Sequence, residues 1–206
     1  MQALDLQIAV TPTSPYATIV RLAACLKEIE KDIAWFWTKT RIPNDPMLQY
    51  HPSGRIPFAR FTDGSVVEET SLIVSYLDSL AKPQLVLAPD PKNPSQRYEA
   101  TARAMMDGLA VWAREVIRPK DEQSPGIIRH EVERATRLCQ YFEQHVHEDS
   151  FHGDVNLLQL YLFASLRIDQ RLPEFQWRAS HPKLLQWWNA FVKQDFVVRT
   201  ENMKPQ

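Results

Sequence analysis

Apolar positions in the first eighty residues switch period several times, and the switches predict a mixed α/β unit. Leu6 to Thr11 is a short apolar run of strand character. Thr13-Ser14-Pro15 reads as a helix start. Ser14 suits the N-cap, and Pro15 suits the first helical position, where its missing N–H costs nothing. Beyond it Ile19, Val20, Leu22, Ala23, Leu26 and Ile29 recur at helical spacing, with Arg21, Lys27 and Glu28 between them. Ile33 to Trp37 is β-prone and predicts a second strand. Residues 40–54 hold three prolines and should be irregular. Pro57 to Phe61 and Val66-Val67 flank Asp63-Gly64 and predict a hairpin, and Leu72 to Leu80 a further helix. The order is βαβ followed by ββα.

The pattern then changes. Lys82 to Pro94 carries Pro83, Pro89, Pro91 and Pro94, which marks a linker over 81–94 between domains at 1–80 and 95–206. Only helical periodicity follows: Arg97 to Ile117, Ile127 to His147, Leu157 to Ile168 and Pro182 to Val197, the last bearing Trp187 and Trp188. Leu157 to Ile168 is apolar on most sides and should be central and buried. Asn156 with Gln159 forms a variant capping box, and Val155 with Leu160 can staple it. The expected fold class is α/β followed by all-α.

Composition narrows the function. The 206 residues have a formal net charge of -1, so no basic excess exists to neutralise phosphates, and nucleic acid is not an expected partner. No apolar run approaches the roughly 20 residues that span a bilayer, so no membrane is expected. The first ten residues show neither a cationic cluster nor a cleavage pattern, so no signal peptide is expected. Cys25 and Cys139 match no metal or redox spacing, and a reducing cytoplasm is the simplest home. His145, His147 and His152 lack cysteine or carboxylate at ligand spacing and read as a solvent-facing run, with no metal site.

The local chemistry centres on Gly54-Arg55-Ile56-Pro57-Phe58 and on Glu69-Thr70-Ser71. Proline donates no ladder hydrogen bond, so Pro57 begins a strand or occupies a special turn. A cis bond there would turn the Ile56 main chain outward. An exposed backbone edge beside an acidic helix start suits a small peptide with a free ammonium group. On the residues alone, Ser14 is a helix cap, and Glu69 an acid favoured by the helix dipole.

Taken together these motifs resemble the cytosolic glutathione transferase family over nearly the whole chain. The family's Ser-Pro-Phe/Tyr and V-R helix has its counterpart in Ser14-Pro15-Tyr16 and Val20-Arg21. Its N-P-x-G-K-V-P is similar to His51-Pro52-Ser53-Gly54-Arg55-Ile56-Pro57, and its E-S-x-A-I-x-x-Y-L to Glu69 through Leu77. Its capped buried helix is matched by Asn156 to Ile168, and its closing P-x-L-x-x-W by Pro182 to Trp187. The chain looks most like bacterial members with a serine near the first helix. Departures are His51 for the usual Asn, Thr70 for Ser, and Gln159 for the capping-box acid.

The resemblance implies a thioredoxin-like N-terminal domain, an all-helical glutathione-transferase C-terminal domain and a homodimer. It implies that glutathione is the co-substrate and a small electrophile the second substrate. Ser14 would hydrogen-bond the thiol, with Thr13 and Tyr16 as competing hydroxyls. Ile56, following Arg55 and preceding Pro57, would pair its backbone with the cysteinyl part. Glu69 and Thr70 would hold the γ-glutamyl ammonium and carboxylate, and Arg55 the glycyl carboxylate. Asp107, Trp112 and Arg114 would meet the second substrate. A glutathione-dependent disulfide reductase and a non-catalytic binding protein are the alternatives.

Overall fold

The computed structural model describes residues 4–203; Met1–Ala3, the start of the segment in which no signal peptide is expected, and the last three residues lie outside the described residues. By contact density the chain divides into two units. One runs to Val86 and also takes up the chain from Gln194 onward, and the other is Leu87–Lys193.

The first unit is built on a four-stranded sheet: β1 (Leu6–Val10), β2 (Ala34–Trp37), β3 (Phe58–Phe61) and β4 (Val66–Glu68). Their spatial order is β2-β1-β3-β4. β1 pairs parallel with β2 and antiparallel with β3, and β3 pairs antiparallel with β4. The parallel pair needs a crossover, which α1 (Pro15–Leu26) supplies. α1 buries Ala17 through Cys25 without interruption, so it packs on more than one face. Truncating a fully buried residue such as Leu22 to alanine would cost about 2–5 kcal/mol. α2 (Thr70–Leu80) lies against α1.

The expected helix over Pro182–Val197 is two helices: α6 (Pro182–Phe191) and α7 (Asp195–Asn202). Gln194 is extended (ψ 138°) and Asp195 opens a new first turn, where an acid suits the helix dipole. Trp187, Trp188, Phe191, Phe196 and Val197 are all buried, so the hydrophobic pattern runs across the break and conceals it. α7 returns to the first unit and packs on α1.

The second unit is helical throughout its regular structure, with α3 (Pro94–Val116), α4 (Pro125–His145), α5 (Leu157–Leu166) and α6. α3 starts three residues before its expected position because Asn93 caps it, accepting from Ser95 N–H at 2.9 Å, with Pro94 next. All ten residues of α5 are buried. Its Ser165 hydroxyl reaches the Ala102 carbonyl of α3 at 3.2 Å, and Phe163 stacks on Trp188 at 4.6 Å. Asn156 Oδ1 accepts from Gln159 N–H at 3.2 Å, which is one half of the capping box. The Gln159 amide nitrogen is buried without a partner, because an amide in place of the acid brings donors of its own. Gly108 lets α4 approach α3 closely: a Cβ there would fall 2.5 Å from a Glu131 carboxylate oxygen.

Candidate functional site

Register gathers three segments at one end of the first unit's sheet. Ala9 pairs with Phe58, and Phe58 pairs with Glu68. The chain leaves β1 towards Ser14, enters β3 from Ile56-Pro57, and leaves β4 into Glu69. Two strand spacings make this row about 10 Å wide, close to the length of three extended residues.

Ser14 is the N-cap of α1: its Oγ accepts from Ala17 N–H at 3.2 Å. Its own N–H donates to Thr11 Oγ1 at 3.1 Å, and its carbonyl accepts from the Thr18 hydroxyl at 3.0 Å. A hydroxyl that accepts at a cap still has a proton to donate, so capping and contact with a thiolate are compatible. Thr13 is exposed, while Ser14 and Tyr16 are half-buried. Beneath this turn lies Arg21, 2% exposed, which donates to Thr18 Oγ1 at 3.1 Å and to the Thr200 carbonyl of α7 at 3.3 Å.

Ile56-Pro57 is a cis peptide bond. The Ile56 side chain packs against Ala9, Met47 and Phe58, while its backbone precedes the ladder. Among the described residues no hydrogen bond ties the Ile56 main chain. Arg55 is exposed, and its N–H donates to Ser53 Oγ at 3.1 Å. Ser53 in turn donates its hydroxyl to Glu68 Oε2. The same carboxylate oxygen lies 2.9 Å from His51 Nδ1, which is 3.2 Å from Ser53 Oγ. With its proton on Nδ1 the ring donates to Glu68; the other tautomer would instead accept from Ser53 N–H at 3.3 Å. Nothing in the sequence pattern singled out Glu68 or Ser53; only the pairing of β4 with β3 brings them together.

Glu69 sits at φ 86°, a left-handed conformation that a non-glycine residue adopts at a cost of about 1–3 kcal/mol. Its Oε2 accepts from Ser71 N–H at 2.9 Å and Leu72 N–H at 3.2 Å, and from the Ser71 hydroxyl. All of these bonds use one oxygen, and Glu69 is exposed, so the cap does not occupy the other oxygen. Thr70, the first residue of α2, is 6% exposed.

The remaining candidates separate. On α3, Asp107 and Arg114 are exposed and share a face two turns apart, whereas Trp112 is 4% exposed and meets Phe175 edge-on at 6.1 Å. Burial pushes the Cys25 thiol up to about 11 and the Cys139 thiol up to about 12. Both stay protonated and neither is a nucleophile at neutral pH. His145 departs from the expected solvent-facing run: its Nδ1 lies 2.6 Å from Glu148 Oε1 and 3.1 Å from the Tyr98 hydroxyl, tying α4 to α3. Within the described residues no three His, Cys, Asp or Glu side chains are placed to hold a metal ion.

Residues 13–80 match the family model of the glutathione S-transferase N-terminal domain. No curated protein matches the chain. A glutathione transferase family member from Pseudomonas fluorescens Pf-5 with bound glutathione is 21% identical, with TM-score 0.83 over 97% of this chain and 100% of that one. A glutathione S-transferase from Methylobacillus flagellatus with glutathione bound is 23% identical, with TM-score 0.80 over 96% and 100%. One from Methylobacterium radiotolerans, in complex with glutathione sulfonate, is 19% identical, with TM-score 0.81 over 98% and 96%. At these identities the likeness establishes the fold: a thioredoxin-like N-terminal sheet with helices, then a helical glutathione-transferase C-terminal domain.

Proposed function

We infer, from the glutathione S-transferase N-terminal domain at residues 13–80 and the fold of the whole chain, that the protein binds glutathione and adds its thiolate to a small electrophile. The observation that carries this reading is the shared register Ala9–Phe58–Glu68, which lines up a hydroxyl-bearing helix start, an unpaired main chain and an acidic helix start. A tripeptide with a γ-glutamyl ammonium and a central thiol needs an acid for the ammonium, a free main chain for the cysteinyl residue and a hydroxyl for the thiol.

Ser14 donates its hydroxyl proton to the thiolate, and the dipole of α1 adds positive potential at its N-terminus. A free thiol ionises near pH 8.5, and each unit of depression favours the thiolate by about 1.4 kcal/mol. The Ile56 main chain pairs with the cysteinyl residue. Glu69 takes the ammonium through the oxygen not used by its cap, Thr70 the neighbouring carboxylate, and Arg55 the glycyl end. Asp107 and Arg114 belong to the second-substrate side, whereas Trp112, buried against Phe175, is withdrawn from it. The chemistry is thiol ionisation and the holding of two reactants together. With Cys25 and Cys139 buried and protonated, disulfide reduction through a protein thiol gains no support from the site.

The chain acts as a homodimer in this reading. Leu72, Tyr76 and Leu80 recur every four residues along α2 at 56%, 36% and 38% exposure, an apolar stripe suited to a second copy. Two unbridged cysteines fit a reducing cytoplasm, and no helix among the described residues is long and apolar enough to cross a membrane.

Calorimetry with reduced glutathione tests the reading. Saturable binding is expected, and none at millimolar ligand would remove it. An assay of aryl halides, unsaturated carbonyls, peroxides and mixed disulfides with glutathione then identifies the electrophile class.

A further inference from the structure

We propose that His51 is a positioning residue: with Ser53 it latches the segment leading to Ile56 onto Glu68, so the two halves of the peptide site keep one spacing. The proposal rests on the glutathione reading above and adds how the site holds its shape.

Two bonds meet at one carboxylate, and a third ends on the hydroxyl of one of its donors. His51 Nδ1 approaches Glu68 Oε2 at 2.9 Å, the Ser53 hydroxyl donates to the same oxygen, and Arg55 N–H donates to Ser53 Oγ at 3.1 Å. Arg55 immediately precedes Ile56, whose main chain is to meet the cysteinyl residue. Glu68 immediately precedes Glu69, whose carboxylate is to meet the ammonium. The latch therefore joins the neighbours of both contact groups.

The segment needs such a tie because the sheet does not supply one. The ladder starts at Phe58, and the loop's own backbone bonds are those of a turn, His51 N–H to the Met47 carbonyl at 3.1 Å and Gly54 N–H to the His51 carbonyl at 3.2 Å. Both leave Arg55 and Ile56 unpinned. His51 and Glu68 are 26% and 33% exposed in their side chains. Partial burial limits screening of the contact by water.

The δ-nitrogen is the working atom, and this yields a sharp test. An asparagine amide nitrogen occupies nearly the position of Nδ1, so His51→Asn should keep the donor while His51→Ala deletes it. Glutathione affinity is measured by calorimetry for the parent protein, His51→Ala, His51→Asn, Ser53→Ala, Glu68→Ala and the pair His51→Ala/Glu68→Ala. His51→Ala should bind roughly 5- to 10-fold more weakly, as expected for loss of a hydrogen bond to a charged group at a part-exposed site. His51→Asn should stay within about twofold of the parent, and the double variant should be no weaker than its weaker single, since both remove one coupled unit.

Thermal unfolding checks that each variant is folded. Ser53→Ala, which removes only an exposed hydroxyl, carries the test if His51→Ala does not fold. Equal affinity in parent, Ser53→Ala and His51→Ala overturns the latch and leaves the glutathione reading standing. Additive losses, or an His51→Asn variant as weak as His51→Ala, also overturn it. A parent protein that binds no glutathione overturns both.

Discussion

Lys27 Nζ lies 2.8 Å from Asp78 Oδ1, and the lysine side chain has no solvent exposure. The ammonium also donates to the carbonyls of Ala81 at 2.6 Å and Pro83 at 2.5 Å, so one buried cation gathers the end of α2 and the chain that follows it. Burial opposes the charge on Asp78, but hydrogen bonds from Lys27 and from the Leu85 and Val86 amides outweigh it and hold the carboxyl below its ordinary range. A depressed acid contributes stability above its unfolded pKa, near 3.9, and loses it as pH falls through the folded value. The urea midpoint should therefore drop steeply below about pH 4. Asp78→Ala should lower stability at pH 7 by roughly 3 kcal/mol, since it leaves a buried cation short of its counter-charge, and should flatten that acid limb. An unchanged acid limb would assign the loss to other carboxylates.

Ser14→Ala should act in two separable ways. Loss of the cap bond to Ala17 should cost about 1 kcal/mol of stability. The ultraviolet absorbance of bound glutathione thiolate should appear at a pH higher by about one unit, the equivalent of one lost hydrogen bond of about 1.4 kcal/mol. A stability loss with an unshifted titration would leave Ser14 as a cap and nothing more.

Glu69→Gln retains a carbonyl oxygen for the Ser71 and Leu72 amides while removing the charge. Helix α2 should stay folded by circular dichroism, and glutathione affinity should fall by about 1.5–3 kcal/mol, the range for a hydrogen bond to a charged group. Undiminished affinity in calorimetry would mean that the free oxygen meets only solvent.

The two thiols should be silent in the native protein. Cys25 and Cys139 are about 1% exposed or less, and their burial keeps the thiolate forms scarce at neutral pH. A colorimetric disulfide reagent at pH 7.5 should titrate none in minutes and two after denaturation. Fast labelling of Cys25 in native buffer, located by peptide mapping, would show that α7 lifts from α1 readily.

What the sequence made legible was local. Ser14-Pro15 and Asn156 announced their helix starts because a cap is a bond within three residues, and the strand edges shifted by only a residue or two. The Asn93-Pro94 start was equally local, but it lay inside a proline-rich stretch that reads as linker. Long-range relationships left no periodic trace. His51 meets Glu68 across a hairpin, and Arg21 reaches Thr200 across 179 positions. Of the candidate site, residue identities could be read from motifs, whereas the φ of Glu69 and the burial of Trp112 depend on surroundings that no window of sequence contains.

The hold of α7 on α1 reaches beyond geometry. Arg199 grips Glu30 and the Cys25 carbonyl, and Arg21 answers from the other side. A ribosome must therefore deliver residue 200 before α1 acquires its full cover, and a fragment cut after the hairpin and α2 would leave that surface bare to water and to neighbouring nascent chains. What α1 starts, only α7 completes.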